Sequence, residues 1–125
     1  MKKFEINALG EGKQIWFTIG RLKKVENLLK KPIGQIMLEC DSLSIENLVG
    51  LLQIGLEHYG LKPAVYYEDA IDKALENGYD LIDIQMPVSK AVAASGILGK
   101  ARYYALFPEE MTEKEKINIE VEEKN

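Results

Sequence analysis

The residues able to do chemistry are few. The 125-residue chain has one His, His58, and one Cys, Cys40. A catalytic base needs an oriented partner, and no Asp, Ser or Cys stands at motif spacing from His58, which reads as a surface or boundary residue. Cys40 follows an apolar run and reads as a small buried hydrophobe rather than a reactive thiol. One Cys excludes an internal disulfide, and one Cys with one His makes a poor zinc set; no metal and no cofactor is expected. Gly10-Glu11-Gly12-Lys13 lacks the spacing between glycines, and the Ser or Thr after the Lys, of a phosphate loop, so a hairpin turn is the better reading. The acidic set Glu68, Asp69, Asp72 and Glu76 could ligate a cation. A solvated helix face explains it more simply, with Glu68 and Asp69 in a first turn that favours negative charge. Tyr103, Tyr104 and Phe107 could stack on bases, anchor a protein partner or pack on the chain's own core.

Charge adds a second limit. Lys and Arg total 16 and Asp and Glu 20, for a net charge of −4. Residues 108–125 carry seven Glu and three Lys, so the whole imbalance lies in this tail and the preceding 107 residues are neutral. A Glu/Lys-rich end after a Pro reads as an acidic, flexible tail. Residues 1–31 hold eight Lys or Arg against three Glu, a mildly basic front well short of a dedicated nucleic-acid binder. Lys23 and Lys24 diverge by about 100° on a helix and make no stripe.

The elements that would position these residues follow from periodicity. Phe4, Ile6 and Ala8 alternate with polar neighbours, and the β-formers Ile15, Trp16, Phe17 and Ile19 follow the Gly turn, so a hairpin is predicted, ended by Gly20. Helical spacing then predicts a helix over 21–31 with Leu22, Val25 and Leu29 on one face, stopped by Pro32. Pro32 also suits the first turn of a short helix carrying Ile33, Ile36 and Met37. Ser42 and Ser44 are candidate N-caps for a long helix over 45–59, with Ile45, Leu48, Val49, Leu51, Leu52 and Leu56 in its stripe and Ile54 outside. Gly55, inside the stripe, would let another helix approach. A fourth helix is predicted over 67–77 with Ala70, Ile71 and Leu75 on one side. A fifth lies within 80–95, where Pro87 either kinks the helix or opens it. Ile117, Ile119 and Val121 alternate and allow a late strand.

The expected fold is therefore α+β, mainly α: a short N-terminal β-hairpin followed by a compact bundle of about five helices. Residues 1–98 form the compact unit, 99–107 an apolar and aromatic connection, and 108–125 the tail. The 46% apolar content fits a globule. No apolar run approaches the roughly 20 residues of a membrane span. Met1-Lys2-Lys3-Phe4-Glu5 starts positive with no apolar stretch behind it, so no signal peptide is expected and the expected location is cytoplasmic.

The order of these elements carries a resemblance. Phe17-Thr18-Ile19-Gly20-Arg21-Leu22-Lys23-Lys24-Val25-Glu26 is followed by Pro32-Ile33-Gly34-Gln35-Ile36, a long helix ending Gly55-Leu56, then Tyr67-Glu68-Asp69-Ala70 and Ala93-Ala94-Ser95-Gly96. Across residues 4 to 98 this layout resembles tail assembly chaperones of long-tailed bacteriophages, prophages and gene transfer agents. The resemblance implies a non-enzymatic protein of the bacterial host cytoplasm. It would bind the tape measure protein, with tail tube subunits as a second client, keep its client soluble during tail assembly, and be absent from the mature particle. In many relatives a translational frameshift near the stop codon adds a second domain, and Glu122-Glu123-Lys124-Asn125 is compatible with an A-rich slippery stretch. A holding function needs apolar contact surface, and an acidic tail aids solubility. The residues expected to contact the partner are Trp16, Leu98, Tyr103, Tyr104, Leu106 and Phe107, and self-association through a hairpin edge is a further expectation. The alternative is a small nucleic-acid-binding regulator or antitoxin using the basic N-terminal region. A small enzyme would need a catalytic group that this sequence does not display.

Overall fold

The computed structural model describes residues 1–110; the late strand expected around Ile117, Ile119 and Val121 lies outside the described residues. Two short strands, β1 (Phe4–Glu5) and β2 (Gln14–Ile15), pair antiparallel with Phe4 opposite Ile15 and Glu5 opposite Gln14. Six α-helices follow among the described residues: α1 (Ile19–Leu29), α2 (Ile33–Asp41), α3 (Ile45–Gly55), α4 (Ala64–Glu76), α5 (Ile82–Ala94) and α6 (Lys100–Leu106). The chain is thus mainly α with a small N-terminal β part. No helix among the described residues is long and apolar enough to cross a membrane.

The hairpin is shorter than the alternation suggests. Residues Asn7–Leu9 coil into a 3-10 turn, and Gly12, at φ +77°, donates its N–H to Asn7 Oδ1 at 3.0 Å. Gly10-Glu11-Gly12-Lys13 is therefore turn structure. The second strand stops before Thr18, not at Gly20. Thr18 is the N-cap of α1, its hydroxyl accepting from Arg21 N–H at 3.1 Å, so the helix begins two residues earlier than predicted. Its end also comes early. Lys30 adopts the left-handed conformation (φ 58°) and closes the last turn onto Glu26 O. Pro32 then serves as the N-cap of α2 instead of opening its first turn.

α3 is the centre of the core. Ser44 caps it, accepting from Asn47 N–H at 3.3 Å, and Ser42 instead ends α2. It packs against α1, α2, α4 and α5. This enclosure buries Ile54, placed outside the stripe by periodicity, while Ile45, placed inside it, is 47% exposed. The helix ends at Gly55, and Glu57–Tyr59 continue as a 3-10 turn. Gly55 is a point of close approach, though not for a helix. A Cβ there would lie 2.7 Å from Ile15 Cδ1 and from Phe17 Cζ; the hairpin and its exit lie on α3 at this point.

α2 and α3 are joined by a buried polar contact. Asn47, with no exposed surface, donates its amide to Ile36 O at 3.3 Å and to Glu39 Oε1 at 3.1 Å. Glu39 also accepts from Lys31 at 2.6 Å and Gln35 at 3.0 Å. These donors, Lys31 first, pull its carboxyl down to about 2. Asn47→Ala removes the second bond accepted by the Ile36 carbonyl, which keeps its helical one, and removes one Glu39 donor. It is expected to cost about 2 kcal/mol, read as a lower urea midpoint with an unchanged slope.

The later helices refine the pattern. α4 starts three residues before the prediction, with Pro63 as its N-cap, so Glu68 and Asp69 fall in its second turn rather than its first. Its inner face is Tyr67, Ile71 and Ala74, and Leu75 is 45% exposed. α5 runs unbroken through Pro87 and buries Ile84, Val88, Ala91 and Val92. Pro87 stands in the second turn, so the missing donor leaves only the Asp83 carbonyl, near the start of the helix, without its intrahelical partner.

Candidate functional site

Two of the singled-out residues, His58 and Trp16, meet where the hairpin exit crosses the end of α3. The imidazole stacks on the indole with centroids 3.8 Å apart. Its Nε2 faces Gln14 O at 2.9 Å and its Nδ1 faces Arg21 Nη1 at 3.2 Å. A carbonyl only accepts and a guanidinium only donates, so Nε2 carries the proton and Nδ1 accepts. Arg21 also donates to Trp16 O (3.2 Å) and Gly55 O (3.1 Å) and lies over the Trp16 ring at 4.5 Å. Glu57 balances the cations, 3.4 Å from Arg21 and 2.9 Å from Lys24. Lys3 lies over the indole at 4.6 Å. Both ring nitrogens of His58 are thus engaged in holding the hairpin to α1 and α3, and the neutral ring is the form that fits.

Partial burial, then the charges of Arg21 and Lys3, push the His58 pKa below its ordinary value. The unfolded chain takes up a proton near pH 6.5, before the folded chain does, so this contribution to stability is present above that pH and is lost as pH falls through the folded value. The urea midpoint is expected to drop between pH 7 and pH 5, and to drop less in His58→Gln.

The other sequence-predicted contact residues lie at the opposite end of the chain, and the structure does not place them on an open apolar surface. Residues 100–106 form α6, and Phe107 is buried, stacked on Phe4 with centroids 5.7 Å apart. Tyr103 donates its hydroxyl to the Glu110 carboxylate at 3.1 Å and leans on Phe107 at 4.9 Å. Lys2 pairs with Glu110 and lies 4.4 Å over the Phe107 ring. Leu98 packs against the core, and Tyr103, Tyr104, Leu106 and Trp16 are half-buried. The 99–107 segment is therefore a helix strapped to the N-terminus, with only its outer edges open.

Cys40 is 1% exposed, and burial raises its thiol to about 11, a protonated, inert state near neutrality. Glu68, Asp69, Asp72 and Glu76 are exposed on α4. Among the described residues no group of three or more His, Cys, Asp and Glu side chains is arranged to hold a metal ion. Several cations of the basic front are committed to partners: Lys2 to Glu110, Arg21 and Lys24 to Glu57, and Lys31 to Glu39.

What periodicity did not single out is exposed aliphatic surface elsewhere. Leu61 is 78% exposed, Leu38 70%, and Val65 56%. Between α1, α3 and α4 runs an open groove of about 370 Å³, lined by Leu28, Leu29, Ile45, Val49 and Ala64 with Glu46, Gln53 and Glu68. The sequence does carry a signal for it: Leu28 sits at the border of the α1 stripe and Ile45 at the first position of α3, where an apolar side chain has half a face to pack on. A larger groove of about 630 Å³ lies between the Asn7–Leu9 turn and α4, with Glu11, Asp69 and Lys73 on its walls. Comparison with family models, curated proteins and solved structures finds no match to this chain.

Proposed function

We propose that this chain is a tail assembly chaperone of the long-tailed phage, prophage and gene transfer agent type. It holds the tape measure protein, and in a second role tail tube subunits, soluble in the host cytoplasm until the tail polymerises, and it does no covalent chemistry. The observation that carries the reading is the coexistence of a complete core centred on α3 with an open groove walled by aliphatic side chains, Leu28 and Ile45 standing about half in solvent along it. Single exposed aliphatics are ordinary, whereas a groove with aliphatic walls is what a polypeptide-holding surface needs. The element order that resembles this family, from the hairpin to Ala93-Ala94-Ser95-Gly96, lends further support. So does His58, whose two nitrogens are spent on the fold.

Co-expression with the tape measure protein from the same gene neighbourhood is the test. The tape measure protein is expected in the soluble fraction only when this chain is present. Its appearance in the pellet regardless would overturn the reading. Equal recovery with Tyr103→Ala/Tyr104→Ala would remove α6 from the contact surface and leave the function standing. The regulator alternative predicts duplex DNA binding with a steep salt slope; with so many of the N-terminal cations already paired, binding insensitive to salt or absent is expected.

A further inference from the structure

The groove between α1, α3 and α4 has walls that specify an occupant. Leu28 and Ile45 are 45% and 47% exposed along it. Val65, 56% exposed, neighbours Ala64 and Glu68 on the α4 surface. Gln53 is already engaged, donating to Lys62 O at 3.1 Å. Glu46 on the α3 wall and Glu68 on the α4 wall are different. Among the described residues neither makes a hydrogen bond or an ion pair, and Glu46 acts on Lys31 only through space. The lining includes no cation.

An occupant must therefore bury aliphatic groups between the walls and bring positive charge to both sides. All three walls are helices, which present no strand edge, so an extended peptide would find no main-chain ladder to join. A helix with an apolar stripe meets the requirement. A second copy of this chain is disfavoured, because residues 1–107 are neutral and the excess charge of residues 108–125 is negative, so it brings no net positive charge to the two carboxylates. Nucleic acid is disfavoured for the same reason.

We propose that this groove docks an amphipathic helix of a partner protein that carries Lys or Arg on both flanks of its apolar face. The inference rests on the chaperone reading and deepens it, by naming the element of the client that is held.

The test uses the full chain and a labelled synthetic peptide of about 15 residues, short enough to be marginally helical alone. The peptide has Leu and Ala on one face and Lys on the flanks, and its control has every Lys replaced by Glu. The Lys peptide is expected to bind and gain helical circular dichroism, and the Glu peptide to bind at least about tenfold more weakly. Glu46→Lys/Glu68→Lys should invert that preference, and Leu28→Gln/Ile45→Gln should weaken both peptides about tenfold. All four positions are exposed, and a melting curve for each variant confirms that it is folded. Equal binding of the two peptides, indifference to charge reversal, or no binding overturns the proposal. A dimer in sedimentation that Leu28→Gln/Ile45→Gln dissociates also overturns it, by giving the groove to a second copy. Co-expression separates the two readings. If the groove variants hold the tape measure protein as well as wild type does, the groove assignment fails and the chaperone reading stands. If wild type does not hold it while the Lys peptide still binds, the reverse is true.

Discussion

Phe17→Ala is expected to destabilise the fold by about 3–5 kcal/mol, enough to leave a domain of ordinary stability close to its unfolding threshold. Phe17 has no exposed surface. It sits just before the α1 cap, at the point where the hairpin leaves the sheet and turns over α3, with its ring edge at the place where Gly55 lacks a side chain. Truncation removes most of the ring's burial and leaves a cavity bounded by a helix backbone and by Ile15, itself fully buried. Neither can collapse far, because Arg21 clamps this junction through Trp16 O and Gly55 O. Urea unfolding should show the midpoint fall with the slope kept, and the pH dependence assigned to His58 should weaken as the hairpin loosens. Ile19→Ala, two residues on and 59% exposed, should change the stability by no more than about 0.5 kcal/mol.

The comparison between those two residues shows what a linear pattern carries. Phe17 and Ile19 alternate in the same run of β-formers, and alternation alone puts them on one face of one strand. The chain changes conformation between them because Thr18 can accept the Arg21 N–H, and a lone Thr ahead of a Gly is a faint signal. Pattern reading did recover the order of elements, the centre of the core and most of its stripe, since 3.6-residue spacing is imposed by burial on one side. It failed at Ile54 because α3 is enclosed by four neighbours, which no single helix can announce. It failed at Leu75 because the inner face runs through Tyr67, Ile71 and Ala74, and the small Ala74 is a weaker apolar signal than the neighbouring Leu75. The contact surface was the least legible part. Tyr103, Tyr104 and Phe107 look like free aromatics until the N-terminus is folded beside them, and the pairing of Phe107 with Phe4 is a contact between opposite ends of the described chain. Glu46 and Glu68 gain meaning only when α3 and α4 set them on two walls of one groove.

Gly55→Val is expected to cost about 3 kcal/mol, although an ordinary helical Gly gains stability when replaced by a residue of higher helix propensity. The sign is decided by what the new atoms would meet. The Cβ alone would stand 2.7 Å from Ile15 Cδ1, Ile15 Cγ1 and Phe17 Cζ, closer than carbon atoms approach, and the two γ-carbons of Val lie beyond it. Both neighbours are fully buried, so relief requires the hairpin to lift from α3. Lifting it breaks the Arg21 bonds to Gly55 O and Trp16 O and separates His58 from Gln14 O. Gly50→Ala is the informative control. The atoms nearest its Cβ would be those of the Leu29 side chain, at 2.8–3.0 Å, and Leu29 is half-buried at the end of α1 with the open groove beside it. Leu29 can rotate into that space, so the stability of Gly50→Ala should stay within about 1 kcal/mol of wild type. The displaced side chain would then occupy part of the groove floor, and the affinity of the Lys peptide should fall while the fold is kept. Gly55→Val has no such outlet, and its whole cost falls on the junction that holds the hairpin to the bundle.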